Sequence, residues 1–329
     1  MLKLIVNRVW QGVVVLLVVS ALTFGLLAAA GGDAVSELAS DPKVSPAALA
    51  EMRRVYGLDA PAPARYARWL ADFARGRLGH SFYFHAPVAS ILGPRLLRTL
   101  LLAAVALALA WAASLALGIQ AARRPGGWWD RAADAVILLT ASTPRIVLAL
   151  AALALAVGTS LFPVGGGAEG ALSLPRLLPA AVVLALPLVA VFLAQTRESM
   201  RDALAADFVR VARAKGLPER AVVMRHAMRA ALNPLITIFG YSVGGVVSGS
   251  VIVESVLDWP GLGSLAVRAA TERDVPLLLS VVMTTATVVL LGNLCADILL
   301  RLNDPRLRDE ERRRRAAPPP AAAAPSQAA

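Results

Sequence analysis

Six stretches of this chain are apolar over about the length a helix needs to cross a bilayer. That limits the fold more than any other feature. A hydrocarbon core about 30 Å thick takes about 20 residues in helical form. The runs are Val9–Ala30, Thr99–Gln120, Ala135–Ser160, Leu177–Ala194, Leu232–Val253 and Pro276–Ala296. In hydrocarbon every backbone N–H and C=O must find a partner within its own segment, so the sequence predicts an all-α membrane protein of six transmembrane helices. The first run follows Lys3 and Arg8 and ends in "AAAGG", the outline of a secretory leader. It exceeds the roughly 7–15 apolar residues of such leaders, and five further runs follow, so it is read as a span.

The distribution of charge orients these spans. Lys and Arg cluster around Arg123, Arg124 and Arg131, along 197–229, and in the tail at Arg301, Arg306, Arg308 and Arg312–Arg315. The connections near Arg176 and at 257–275 are poorer in uncompensated positive charge. The positive-inside rule then places both termini in the cytoplasm. Segment 31–98 is arginine-rich yet external, which a loop of that length tolerates. The net charge of +11 thus reads as an orientation signal and not as a nucleic-acid footprint. The chain divides into a first transmembrane helix (1–30), an external segment with short amphipathic helices (31–98), a five-span core (99–303) and a basic, then disordered, tail (304–329). Within the external segment, Ser45 and Pro46 mark a helix start with Gly57 near its end. Tyr66, Leu70 and Phe73 form the stripe of a second helix. These two helices either lie on the membrane surface or form a platform for an external partner.

The polar connection 198–231 is the least expected segment. Its first helix carries Leu204, Phe208 and Val211 on one stripe, with Asp207 in its first turn and Arg210 and Arg213 off the stripe. After Lys215, Gly216 is expected to adopt the left-handed conformation that ends a helix, with Leu217 making the accompanying apolar contact. Pro218 suits the first position of a second helix. That helix has Ala221, Met224 and Met228 on one stripe, and Arg225 and Arg229 on another face. A helix-turn-helix of this kind has three readings: adsorption to anionic headgroups, DNA binding without the third packing helix such a fold needs, or a handle by which a soluble partner moves the spans. A fixed glycine turn favours the handle.

The stretch "ADFVRVARAKGLPERAVVMRHAMRAALNPLITIFG" resembles the ATPase-coupling segment of inner-membrane permease subunits from binding-protein-dependent ABC importers, and most of all the dipeptide/oligopeptide/nickel group. "MLKLIVNRVWQGVVVLLVVSALTFGLL", "YGLDAPAPARYARWLADFARGRLGHSF", "ESVLDWPGLGSLAVRAATERDVPLLLS" and "DPRLR" are similar to further pieces of that group, in the same order. The family pattern "EAA-x3-G" falls on Arg210, Val211, Ala212 and Gly216, of which only Ala212 and Gly216 match it strictly. The resemblance implies a non-enzymatic translocation subunit for peptides or a related solute such as a nickel chelate. It implies a homologous second permease subunit, two cytoplasmic ATPase subunits and an external solute-binding protein as partners. ATP and Mg²⁺ would be bound by the ATPases, and this chain carries no G-x-x-x-x-G-K-[ST] phosphate loop. The setting implied is the cytoplasmic membrane of a bacterium or archaeon. The alternatives of another class are an ion-coupled secondary transporter and a non-transporting membrane scaffold.

Other residues are read from the sequence itself. Arg145, after Pro144, falls near the middle of the third run, where an unpaired charge costs several kcal/mol or more. It is a candidate pathway residue attracting a substrate carboxylate. The alternatives are an ion pair with Asp297 or Glu254, or a span that starts later. Asn293 and Asp297 share a face of the last run, as an ion carrier would need, or as helix packing would. Gly240, Gly244, Gly245 and Gly249 permit close helix approach, within the subunit or toward a partner. Trp259, Pro260, Gly261 and Gly263 form a turn that the resemblance places outside, as a gate or docking element. His80, His85 and His226 lack ligand spacing, so no metal site is inferred. Cys295, alone in an apolar run, is expected to be a buried thiol.

Overall fold

In a computed structural model, which describes residues 2–29, 45–55, 59–159 and 174–303, the apolar runs are helices that overshoot their windows. They are α1 (Leu2–Ala29), α4 (Val88–Arg123), α7 (Leu174–Ala205), α10 (Met228–Val256) and α12 (Val275–Asn303). The overshoot is physical, since a helix continues through the interfacial layer until a capping or breaking residue stops it. Between them lie α2 (Pro46–Val55), α3 (Ala62–Ala74), α5 (Trp128–Ser142), α6 (Arg145–Thr159), α8 (Asp207–Ala214), the single turn α9 (Glu219–Ala221) and α11 (Leu262–Thr271). Among the described residues four helices are long and apolar enough to cross a membrane, or up to six spans if each of two bent helix pairs counts as one. No strand is present among the described residues.

The third run is not one helix. It divides into α5 and α6, inclined at 97° to each other. Proline disfavours a helical residue before it, and Thr143 accordingly takes φ −97°, ψ 117°, closing α5 at Ser142. Pro144 then accepts the first hydrogen bonds of α6, from the N–H groups of Val147 and Leu148.

The most enclosed helix is α7, which packs along α4. Leu102, Ala106 and Ala110 of α4 interleave with Ala181, Leu184 and Leu188 of α7. Trp111 stands edge-on to Phe192 and Phe239, both at 5.8 Å, where α4, α7 and α10 meet. Gly240 and Gly244 of α10 let Ala296 and Val289 of α12 approach, so this part of the glycine stripe serves packing within the subunit. Cys295 is exposed on α12, against expectation. The apolar run holds it in the helix but does not decide which face it occupies. Near the same end of the bundle, Arg8 Nε of α1 lies 2.6 Å from Asp297 Oδ2, so this acid ties the first helix to the last.

Of the outer segment, Ser45 Oγ accepts from the Ala48 N–H at 3.2 Å, capping α2 as its sequence indicates. The aromatic stripe of α3 closes on α1. Tyr66 packs 5.5 Å from Phe24, and its hydroxyl lies 2.9 Å from Ser20 Oγ. Gly57, the 31–44 stretch, "DPRLR" and the expected disordered tail lie outside the described residues.

At the end opposite the Gly216 turn, the Trp259–Gly263 turn is tied into one knot. Glu254, fully buried at the end of α10, accepts from Thr99 Oγ1 at 2.8 Å and from the Ser264 N–H at 3.0 Å. Thr99 Oγ1 in turn accepts from the Leu262 N–H at 2.8 Å, and Trp259 Nε1 donates to the Arg98 carbonyl at 3.3 Å. A Cβ on Gly261 would overlap Glu254 Oε1 and Thr99 Oγ1, so the knot has room for glycine alone. Beside it, buried Asp274 starts α12, accepting from the Leu277 N–H at 3.2 Å and from Ser81 Oγ at 2.5 Å. Gly261→Ala should therefore cost about 1–3 kcal/mol through overpacking, read as a drop of several degrees in thermal midpoint in detergent. Gly93→Ala, within helix α4 and with open space where its Cβ would stand, is the comparison and should lose nothing.

Candidate functional site

The site begins where α7 ends. A one-residue break at Ala206 (φ −69°, ψ 150°) separates α7 from α8, and Asp207 opens α8 with its acid in the first turn, where negative charge suits the helix dipole. At the other end the chain turns sharply at Gly216, whose φ is +75°. The Gly216 N–H donates to the Arg213 carbonyl at 2.9 Å and the Leu217 N–H to the Ala212 carbonyl at 3.4 Å. The six-to-one bond is the glycine-terminated helix ending expected from the sequence. Lys215 is the last residue before the turn and is exposed. Pro218 precedes α9, and a π-helical turn, Val222–Ala227, leads directly into α10.

A small apolar core holds this hairpin to the bundle. Val209 and Ala212 of α8 pack with Val222, Val223 and Ala227, against Ala122 of α4 and Met200 and Ala203 of α7. The expected stripes face this core only in part: Leu204 and Met228 pack against it. Phe208 is 44% exposed and Val211 54%, while Met224 is 54% and Leu217 39% exposed. Leu217 does not make the buried contact anticipated for it. Phe208, Val211 and Met224 carry the apolar stripes beyond this core, onto the open side of the hairpin.

Around this open apolar surface, the charges are paired locally. Arg210 is ion-paired with Asp207 one turn back in α8. Arg213 bridges the turn to Glu219, with Nε to Oε2 at 3.1 Å and Nη2 to Oε1 at 2.8 Å. The hydrogen bond from Arg213 holds the Glu219 carboxyl below its ordinary range. The ionic contribution to the hairpin is thus complete above the ordinary carboxylate range and fades as pH falls through the lowered value. Arg225 is exposed beside Met224.

Sequence reasoning missed the ionic cluster just above the hairpin. Asp130, in the first turn of α5, accepts from Arg201 Nη2 at 2.6 Å, from Arg197 Nη1 at 3.1 Å and from the Gly126 N–H at 2.8 Å. Arg197 also pairs with Asp134. Both arginines belong to α7, within three turns of α8. The available signal was the Asp130, Asp134 pair at i, i+4 facing the Arg197, Arg201 pair at the same spacing.

The remaining candidates lie elsewhere. Pro144 and Arg145 stand at the α5–α6 elbow, and Arg145 Nη1 donates to the Gly245 carbonyl of α10 at 3.2 Å. Neither carboxylate suggested for Arg145 pairs with it. Asp297 is held by Arg8, and Glu254 by Thr99 and Ser264. Trp259, Pro260, Gly261 and Gly263 come together in the knot described above. No group of three or more His, Cys, Asp or Glu positioned to hold a metal occurs among the described residues.

A helical bundle of membrane-spanning length, with a firmly seated hairpin that shows apolar side chains outward, defines a multi-span membrane component. The family profile described as "Binding-protein-dependent transport system inner membrane component" matches residues 114–309, and its N-terminal counterpart matches residues 1–103. The chain is 35% identical over 311 residues to the oligopeptide transport system permease protein AppB of Bacillus subtilis, covering 92% of this chain and 98% of that one. It is 33% identical to a putative peptide permease protein of Brucella suis, covering 94% of this chain and 99% of that protein. With the oligopeptide transport system permease protein OppB of Mycobacterium tuberculosis it shares 34% identity over 94% of this chain and 99% of that one. The chain belongs to the family of binding-protein-dependent transport system inner membrane components, and it is a multi-pass membrane protein.

Asp130→Asn leaves Arg197 and Arg201 without their shared carboxylate. It should lower stability by about 1–3 kcal/mol, the scale of hydrogen bonds to charged groups. Thermal unfolding in detergent checks this. Asp134→Asn is the control and should lose less, because Asp134 is the more exposed partner of Arg197.

Proposed function

We propose that this chain is one permease half of an ABC importer for peptides. It would span the cytoplasmic membrane of a bacterium or archaeon six times, with α5–α6 as the third span and both termini in the cytoplasm. Its partners would be a homologous second permease subunit, two cytoplasmic ATPase subunits that bind ATP and Mg²⁺, an external solute-binding protein and the surrounding lipid. The peptide class is supported by the names of its relatives, and the orientation by the Lys and Arg distribution. The mechanical reading rests on one observation: Phe208, Val211, Leu217 and Met224 stay open on a hairpin whose other face is locked into α4, α7 and α10.

In this reading the apolar face docks in the ATPase, and Asp207, Arg210, Ala212, Arg213, Lys215, Gly216 and Arg225 shape or flank the docked surface. Val209 and Ala212 bind the hairpin to the spans, so displacement of the ATPase moves α7 and α10 together. The bound peptide would pass between the two permease halves, and the Trp259–Gly263 turn would present the outer face to the binding protein. A secondary carrier has no use for an apolar face at this place, and a transporter driven through it needs one.

Phe208→Asp combined with Val211→Asp tests the reading. Both positions are outside the core, so the thermal midpoint should stay within a few degrees. Co-purification of the ATPases and ATP-driven peptide uptake in reconstituted vesicles should fall at least tenfold, the scale of losing two buried apolar side chains. Peptide uptake that proceeds equally well without ATP and without the ATPases would sink the proposal.

A further inference from the structure

We propose that Arg145 is a selectivity contact for the carboxylate of the transported peptide, with its guanidinium seated on the Gly245–Gly249 face of α10 at membrane depth. The inference rests on the peptide-permease reading and adds to it a residue that distinguishes substrates by charge.

The depth follows from the hydrogen bond and not from the position of Arg145 in its own run. Gly245 accepts from Arg145 Nη1 at 3.2 Å. At 1.5 Å per residue, Gly245 lies about 25 Å along α10 from Met228 and about 16 Å from Val256. The guanidinium is thus held deep in the span. The seat is built for it: a Cβ on Gly249 would overlap Arg145 Nη1 and Cζ, so α10 keeps that surface bare where the cation rests.

The guanidinium is under-used in the subunit. It carries five N–H donors in a planar fork, and its one hydrogen bond among the described residues goes to Gly245. It forms no ion pair among them, since Asp297 is taken by Arg8 and Glu254 by the knot at Thr99 and Ser264. A cation open to lipid costs several kcal/mol or more, which excludes hydrocarbon as its second neighbour. The elbow points the same way. Thr143 has left the helix and Pro144 is exposed, and non-helical backbone at membrane depth persists only where it is buried in protein or lines a water-filled cavity. Cation and elbow therefore border one aqueous space. A carboxylate is the group that a guanidinium fork binds best, through two parallel N–H···O bonds, and every peptide with a free C-terminus carries one into that space. The competing occupant, an acidic side chain of the second permease, would give a permanent pair indifferent to the substrate.

The experiment is ATP-driven uptake by the full complex in vesicles, using one peptide sequence as its free acid and as its C-terminal amide. Both are presented at equal loading of the binding protein. Arg145→Gln should reduce uptake of the acid about tenfold or more, the scale of a lost charge-assisted bond, and leave uptake of the amide within about twofold of its wild-type value. Arg145→Lys should fall between wild type and Gln for the acid. Gly249→Ala, which keeps the charge but displaces it, should reproduce the selective loss. Equal loss for both peptides means a packing role or a subunit ion pair and overturns the inference, as does no change for either. Where the Gln variant fails to assemble, the Lys variant decides by the same comparison. Wild-type uptake that needs no ATP would instead sink the permease reading itself, and this inference with it.

Discussion

An unpaired charge in hydrocarbon is costly, and the bundle is organised around that cost. Arg8 meets Asp297, Arg197 and Arg201 share Asp130, and Glu254 is enclosed by hydroxyl and N–H donors. Each tie joins helices that are far apart in the chain: α1 to α12, α5 to α7, and α10 to α4. Between helices in lipid the hydrophobic effect supplies little direction, because lipid tails are as apolar as leucine. Alanine and glycine allow α4, α7, α10 and α12 to approach closely, but it is the polar ties at the two ends that fix their register. Among the described residues, Arg145 stands deep in the bundle with a backbone carbonyl in place of a carboxylate. The proposed substrate contact would complete its pairing from outside the subunit.

The two ends are built differently. At the Trp259–Gly263 end, Glu254 and Thr99 gather the loop by direct hydrogen bonds to its backbone, leaving the turn no freedom of its own. At the Gly216 end, the hairpin is held by side-chain packing through Val209, Ala212, Val222 and Val223, with a single bent connection at Ala206. A body seated by apolar contacts and linked through one non-helical residue transmits a push as a unit. Buried polar knots, by contrast, resist rearrangement because each opened bond leaves an unsatisfied group. The division suits a subunit that is driven at one end and keeps its shape at the other.

The long apolar helices and the glycine turn were legible because composition and local stereochemistry decide them. An apolar run must be helical in lipid, and a residue after "ARAK" that ends a helix with φ +75° is best supplied by glycine. The phase of the hairpin was not legible. Phe208 and Val211 make as good a stripe as Val209 and Ala212, and periodicity does not distinguish a face turned to the core from one turned to a partner. The elbow at Thr143–Pro144 was signalled by proline but hidden by apolar residues on both sides of it. The polar ties escaped for a different reason. Thr99 and Glu254 are 155 residues apart and Ser81 and Asp274 are 193 apart, distances over which no local pattern operates. Asp274 did carry a local sign, an acid immediately before Val-Pro at a helix start.

The missed cluster and the elbow belong to the same piece of structure. Helix α5 has 15 residues and is about 22 Å long. Asp130 clamps its first turn to Arg197 and Arg201 of α7, and its last residue adjoins the Thr143–Pro144 break. It is therefore a strut whose foot stands on the part of α7 that runs into α8, and whose head carries the elbow and Arg145. In the proposed coupling, motion imposed at the hairpin would reach α7 through the Val209–Ala212 core, cross to α5 through Asp130 and arrive at Arg145. A rigid strut is needed for that, and fifteen helical residues free of proline and glycine provide one. The proline comes only after the helix ends, at the joint where a change of angle would alter what Arg145 faces.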